Sequence, residues 1–273
     1  MSVDISNQLV YQSNPFDEHK IYSTTIRIAS DGLSVFVTCN SNLEYAAAYR
    51  WAKSNVMADF SQALSSIKER DAFLKNNSGK LQLLFEDEGY TLVPQSLFVQ
   101  TELTSYLSHF IEQDKMDSGT VVFSEINNVI VISLLNKAVV DAAKSVFSNV
   151  EVKSYTQALL SFSNTIHSKT RDYSLIVSVN STYFDLVIRK RGQLHFFNRF
   201  TFSTKEDFAY FLIMALQNLE IKNEDVEINL LGEINPQSPI DEMLNRYFSE
   251  VGFIKSDQKL SWDYHRYCVE QNY

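Results

Sequence analysis

Tyr173-Ser174-Leu175-Ile176-Val177-Ser178-Val179, then Tyr183-Phe184-Asp185-Leu186-Val187-Ile188-Arg189, then the run Leu194–Phe202 decide how this chain is read. Each run is rich in Val, Ile and Phe and is bounded by short polar breaks, the pattern of three consecutive strands. Thr204 then stands as an N-cap, with Asp207 at capping-box spacing, before a helix to about Leu219. Phe208, Phe211, Leu212, Ala215 and Leu216, with Ile213 and Met214, make that helix apolar nearly all round, which predicts burial between a sheet and its neighbours. Val226–Leu231 reads as a buried strand, Asp241–Val251 as a helix and Phe253–Lys255 as a last strand. The order is strand-strand-strand-helix-strand-helix-strand. Helices between strands imply parallel segments covered on both faces.

The preceding half follows a looser version of this order. Residues 1–21 are polar, with Pro15, and read as a loose arm. Tyr22–Ala29 and Leu33–Cys39 form a hairpin around Asp31-Gly32, a pair that suits a tight I′ turn. Phe60, Ala63, Leu64, Ile67 and Leu74 recur near the helical period and predict a helix over Met57–Lys75, stopped by Asn76–Gly79. Leu81–Phe85 and Tyr90–Val93 look like a second hairpin around Glu86-Asp87-Glu88-Gly89, which reads as a solvated turn rather than a cation site. A helix over Thr101–Gln113, strands over Thr120–Ser124 and Val129–Leu134 around Asn127-Asn128, a helix over Ala138–Phe147, a strand over Val150–Lys153 and a helix over Thr156–His167 complete the half. This suggests a duplicated mixed α/β unit. The boundary is expected at the polar stretch Ser168–Asp172, giving a first sub-domain over 22–167, with an insertion near 80–120, and a second over 172–259. An aromatic tail over 260–273 carries Trp262, Tyr264, Tyr267 and Tyr273, either packed on the body or offered to a partner.

Composition excludes several classes. Hydrophobic residues make up 45% and charged residues 21%, which is globular. The formal net charge of −9 repels phosphate backbones, so no nucleic-acid partner is expected. The tight basic cluster Arg189-Lys190-Arg191, followed by Gly192, reads as a solvated hairpin turn, the alternative being a phosphate or partner contact. The chain has 7 glycines and 4 prolines, where average usage gives about 19 and 14. Few glycines limit phosphate-cradling loops, and neither GxxxxGK[ST] nor GxGxxG occurs. Two cysteines, Cys39 and Cys268, make no disulfide framework, and the histidines show no HExxH or HxH spacing, so no metal is expected. The N-terminus lacks a basic and apolar leader, and the apolar runs Val129–Leu135 and Phe208–Leu216 are far below about 18 residues, so cytoplasmic location without direct membrane insertion is expected.

The passage Val129–Lys137, Val139–Phe147, Val150-Glu151-Val152 and Ala158-Leu159 resembles one in the pilus-assembly protein PilM and the type II secretion protein GspL. Ser174–Phe200 resembles the second phosphate hairpin of those proteins, and Asn229–Glu233 with Ile240–Phe248 their adenosine-motif strand, turn and helix. The opening hairpin and Val93-Pro94 through Leu97-Phe98 resemble domain-of-unknown-function family 3822. Over roughly residues 22–256 these resemblances imply the actin-like ATPase (ribonuclease-H-like) fold, two sub-domains each with a mixed five-stranded sheet. They place a nucleotide cleft at Asp31, Gly32, Ser181, Thr182 and Gly232.

Departures from the family pattern argue that this cleft is degenerate. Active members of the fold carry Asp-x-Gly in each phosphate hairpin, whereas Ser178 and Asn180 stand in the second hairpin here. Ser178 brings no charge for Mg²⁺, and Asn180 fills space a phosphate needs. Gly232 stands without a second glycine and next to Glu233. No cofactor is expected, ATP·Mg²⁺ being disfavoured. The expected function is a non-catalytic protein-interaction scaffold with a protein partner, a homodimer among the candidates. The alternatives are an ATPase or small-molecule kinase with atypical loops, or a structural subunit with a filled cleft.

Overall fold

The computed structural model describes residues 5–29, 32–40, 42–51, 60–76, 79–254 and 269. They fall into two compact units, one running to Leu159 and the other from Leu160 onward. The division falls inside a helix, Tyr155–Ser163.

The first unit begins with β1 (Ile5–Gln12), β2 (Ser23–Ala29), β3 (Gly32–Cys39) and β4 (Asn42–Trp51). Then come α1 (Phe60–Arg70), α2 (Ala72–Lys75) and β5 (Leu81–Phe85). An insertion follows: β6 (Gly89–Pro94), α3 (Leu103–Ser108), α4 (Gln113–Asp117), β7 (Gly119–Ile126) and β8 (Val129–Asn136). The unit closes with α5 (Lys137–Val146), β9 (Glu151–Ser154) and α6 (Tyr155–Ser163), the helix in which the division falls. The second unit continues with β10 (Tyr173–Val179), β11 (Tyr183–Lys190), β12 (Gln193–Thr201), α7 (Lys205–Asn218), β13 (Val226–Gly232), α8 (Pro239–Tyr247) and β14 (Val251–Phe253).

The two large sheets share one strand plan. In the second unit the order is β12-β11-β10-β13-β14, with the first three antiparallel and β13 and β14 added in parallel. In the first unit β4-β3-β2-β5-β9 repeats that order and those directions. A sixth strand, β1, pairs antiparallel with the outer edge of β4, where a loose arm was expected. Edge pairing uses backbone groups, so a polar segment can satisfy it.

The plan follows from where apolar side chains go. β10 is buried along nearly its whole length, as a central strand covered on both faces must be. Phe208, Leu212 and Leu216 of α7 and Leu244 of α8 pack with Leu175, Val177, Leu186 and Ile188 in one core. Each such burial stabilises by about 1.5–3 kcal/mol. The Thr204–Asp207 capping box closes the N-terminus of α7 as its spacing predicts. In the first unit Leu64 and Ile67 of α1 and Val140 and Ala143 of α5 cover Ile26, Val35, Ala47 and Leu83. The expected single helix to Lys75 is interrupted by Asp71, whose carboxylate caps α2 through the amides of Phe73 and Leu74. It also accepts hydrogen bonds of 2.6 Å from both Tyr45 and Tyr49.

The expected hairpin of Leu81–Phe85 with Tyr90–Val93 does not form. β5 pairs in parallel with β2 and β9, whereas β6 pairs with β8 in a separate three-stranded sheet, β6-β8-β7. The acidic turn between them is held by long-range partners. Asp87 is buried and accepts from the amide and hydroxyl of Thr156 at 3.1 and 2.6 Å. Glu86 lies 3.6 Å from the Arg27 guanidinium, and Glu88 accepts from Asn136 at 2.9 Å. The solvated-turn reading therefore fails for buried Asp87 and half-buried Glu86, which bond to other elements, while Glu88 is exposed. The insertion has its own small core of Val93, Leu107, Ile130, Ile132 and Leu134.

Candidate functional site

The residues expected at a nucleotide cleft are distributed over both units. In the first, Asp31 lies outside the described residues. Gly32 is not a turn residue: it is the first residue of β3, paired with Ala29 and with Arg50. A Cβ there would stand 2.3 Å from the Tyr49 carbonyl oxygen. Its bareness thus comes from the approach of β4, not from a left-handed turn.

In the second unit Ser181, Thr182 and Gly232 are brought to one corner. β10 and β11 are joined by Asn180-Ser181-Thr182, and Gly232 ends β13 in register with Val179. Gly232 has φ +89°, and a Cβ on it would lie 2.2 Å from the Val179 carbonyl oxygen. The left-handed backbone and the close approach each require glycine there. Ser181 and Thr182 are exposed.

Three of the corner's amides are engaged internally. The Asn180 amide donates to the Tyr183 carbonyl at 2.8 Å. The Ser181 amide donates to the Asn180 side-chain oxygen at 2.7 Å, while the Asn180 side-chain nitrogen donates to the Tyr183 hydroxyl at 3.1 Å. The Glu233 amide donates to the Val179 carbonyl at 2.7 Å. A phosphate loop works by aiming such amides at the ligand. In this corner those three are taken up by the protein's own oxygens.

Asp185, opposite Ser178 in the ladder, is the carboxylate nearest the turn on β11. It is fully buried and accepts from Arg199 Nε at 2.7 Å and Nη2 at 2.9 Å. Arg199 stands directly across on β12, with its guanidinium 4.2 Å from the centre of the Tyr183 ring. A bidentate ion pair of this kind orders the hairpin and neutralises the acid that a cation would need. Sequence reading missed Arg199 because its partner is set by strand register 14 positions away. Among the described residues no group of three His, Cys, Asp or Glu side chains is placed to hold a metal ion. Among those same residues no helix is long and apolar enough to cross a membrane.

Residues 12–251 match the family described as a protein of unknown function (DUF3822). No curated protein matches the chain. A solved protein of Bacteroides thetaiotaomicron with an actin-like ATPase fold and unknown function superposes with a TM-score of 0.77 at 19% identity, covering 89% of this chain and 94% of that one. A chain of the PilM–PilN type IV pilus biogenesis complex does so at 0.60 and 11%, covering 93% and 97%. The ethanolamine utilization protein EutJ from Carboxydothermus hydrogenoformans follows at 0.50 and 9%, covering 95% and 90%. At these identities the likeness shows the actin-like ATPase fold.

Proposed function

The chain belongs to the DUF3822 family of proteins of unknown function, and from that premise we propose that it is a non-catalytic protein-interaction scaffold on an actin-like ATPase fold. What carries the reading is the β10–β11 corner. Three of its amides are bonded to Asn180, Tyr183 and Val179, and the Asp185 carboxylate is held by Arg199. Metal-assisted phosphoryl transfer depends on a placed cation and an oriented nucleophile. Asp185 offers neither while it is buried in a bidentate pair.

The insertion supports the interaction half of the proposal. Leu97, Val99, Phe110 and Phe123 all belong to it and are well exposed, Leu97 by 67% and Phe110 by 76%. The Phe98 and Phe123 rings lie 5.5 Å apart. Exposed apolar side chains gathered in one small sub-structure are a feature of association surfaces. One solved chain of the same fold is itself part of an assembly, the PilM–PilN complex.

The test is thermal unfolding with and without millimolar ATP·Mg²⁺. A ligand at a hundred times its dissociation constant stabilises by about 2.7 kcal/mol, or roughly 5 °C for a chain of 273 residues. The scaffold reading expects no such shift. A saturable shift that disappears in Ser181→Ala with Thr182→Ala, both exposed, would overturn it in favour of a nucleotide-binding protein using those hydroxyls. Alongside, Leu97→Glu with Phe123→Glu should leave the melting temperature unchanged and abolish co-purification of the partner from the native host.

A further inference from the structure

At the opposite end of β11, about 20 Å of strand away from the Asn180 turn, lies a second concentration of polar groups. β11 and β12 are joined there by a two-residue turn, Arg191 at φ 48° and Gly192 at φ 82°. Arg191 is exposed, as the basic cluster predicts for a solvated turn, but Arg189 is not: only 3% of it is accessible. It stands opposite Ser174 of β10. Its Nη1 donates to the Ser163 hydroxyl at 3.1 Å and its Nη2 to the Gly192 carbonyl, both neutral oxygens. Among the described residues its buried Nε has no hydrogen-bond partner. A buried cation normally has a carboxylate beside it, since an uncompensated charge is costly to remove from water.

Arg189 forms part of the wall of a cavity of about 230 Å³. Arg171, Arg191, His167, Ser168 and Ser174 line it too, with Asp172 as the carboxylate of the lining. Asp172 is bonded to Arg191 at 3.2 and 3.3 Å, and Arg171 is bonded to Glu250 at 2.8 Å. Two of the three guanidinium groups therefore have carboxylate partners, and among the described residues Arg189 has none. Ser168 accepts from the amides of Thr170 and Arg171, and Ser174 accepts from Asn229. Both hydroxyls retain a hydrogen to donate.

We infer that this pocket beneath the β11–β12 turn is a binding site for a phosphate group, with the Arg189 guanidinium as its buried cationic floor and Ser168, Ser174 and Arg191 as further donors. Volume and chemistry agree on the ligand class. At about 230 Å³ the cavity is below the roughly 300–1,000 Å³ of drug-sized sites. A guanidinium fork suits a planar or tetrahedral oxyanion, which accepts several N–H bonds at once. The inference concerns a different end of the sheet from the proposed function and stands without it.

Isothermal titration of the full chain with inorganic phosphate, at fixed ionic strength, tests the site. The expected result is saturable binding that weakens about ten- to a hundredfold in Arg189→Lys, which keeps the charge but loses the fork. If Arg189→Lys does not fold, the partly exposed Ser168→Ala with Arg191→Gln serves, and binding should again weaken. Phosphoserine in place of phosphate separates the sources. Equal or tighter binding assigns the site to phosphomonoesters, and loss of binding assigns it to the free ion. No phosphate binding, unchanged affinity in the folded variants, or acetate binding as tightly as phosphate would each overturn the assignment.

Discussion

Replacing Asp185 by Ala examines whether the β11 acid nearest the β10–β11 turn is structural. Asp185 is fully buried, whereas the Arg199 side chain retains 18% of its exposure. Removing one partner of a buried pair costs about 3–5 kcal/mol, because the other charge is left uncompensated. The asymmetry in burial orders the two single variants. After Asp185→Ala the guanidinium can still reach water, so the cost should sit near 3 kcal/mol. After Arg199→Ala a carboxylate is stranded in the sheet interior and a cation–π contact with Tyr183 is lost, which adds about 0.5–2 kcal/mol to the upper figure. The double variant should cost less than the two singles summed, by about 2–3 kcal/mol of coupling. Urea unfolding followed by far-ultraviolet circular dichroism reads these values. With a slope of about 3 kcal/mol per molar, Asp185→Ala should move the midpoint of the second unit's transition by about 1 M. A shift below about a third of that, in both single variants, would refute the structural role and leave Asp185 free to serve a ligand.

Two other changes have outcomes set by the geometry. Gly232→Ala forces a Cβ to within 2.2 Å of the Val179 carbonyl at φ +89°, so β13 must shift. A loss of about 2–4 kcal/mol is expected from strain and disturbed packing, read from the same urea transition. In the first unit burial, reinforced by hydrogen bonds to Asp71, pushes the Tyr45 and Tyr49 hydroxyls well above their ordinary value of 10. A raised folded-state pKa means that the stabilisation is complete below pH 10 and declines as pH rises further. The slope approaches 1.4 kcal/mol per pH unit for each tyrosine, and Tyr45→Phe with Tyr49→Phe should flatten it in urea titrations taken between pH 8 and 11.

The second unit was legible in the sequence because its signals are local. Val, Ile and Phe runs mark β10, β11 and β12, Thr204 and Asp207 mark the start of α7, and the strand before Gly232 is apolar enough to be buried. The composition also carried the reading of a globular α/β chain, and the order of elements carried the resemblance to the actin-like fold. In the first unit the duplication was legible, but its strand β4 was not. Asn42–Trp51 contains three consecutive alanines, which favour helix over strand intrinsically. Its strand character lies in alternation alone: Tyr45, Ala47 and Tyr49 enter one core, and only the edge of β3 calls for a strand there. The acids at 86–88 and the Asp185–Arg199 pair were equally unreadable, since their partners are chosen by register between strands. The same holds for Arg189. Its sequence neighbours make it one of three basic residues at a turn, and only the pleat decides that it points inward while Lys190 and Arg191 face water. Local propensity and periodicity are written residue by residue, so the sequence carries them. Burial of a charge, and what compensates it, depends on which strand lies alongside, and only the folded sheet sets that.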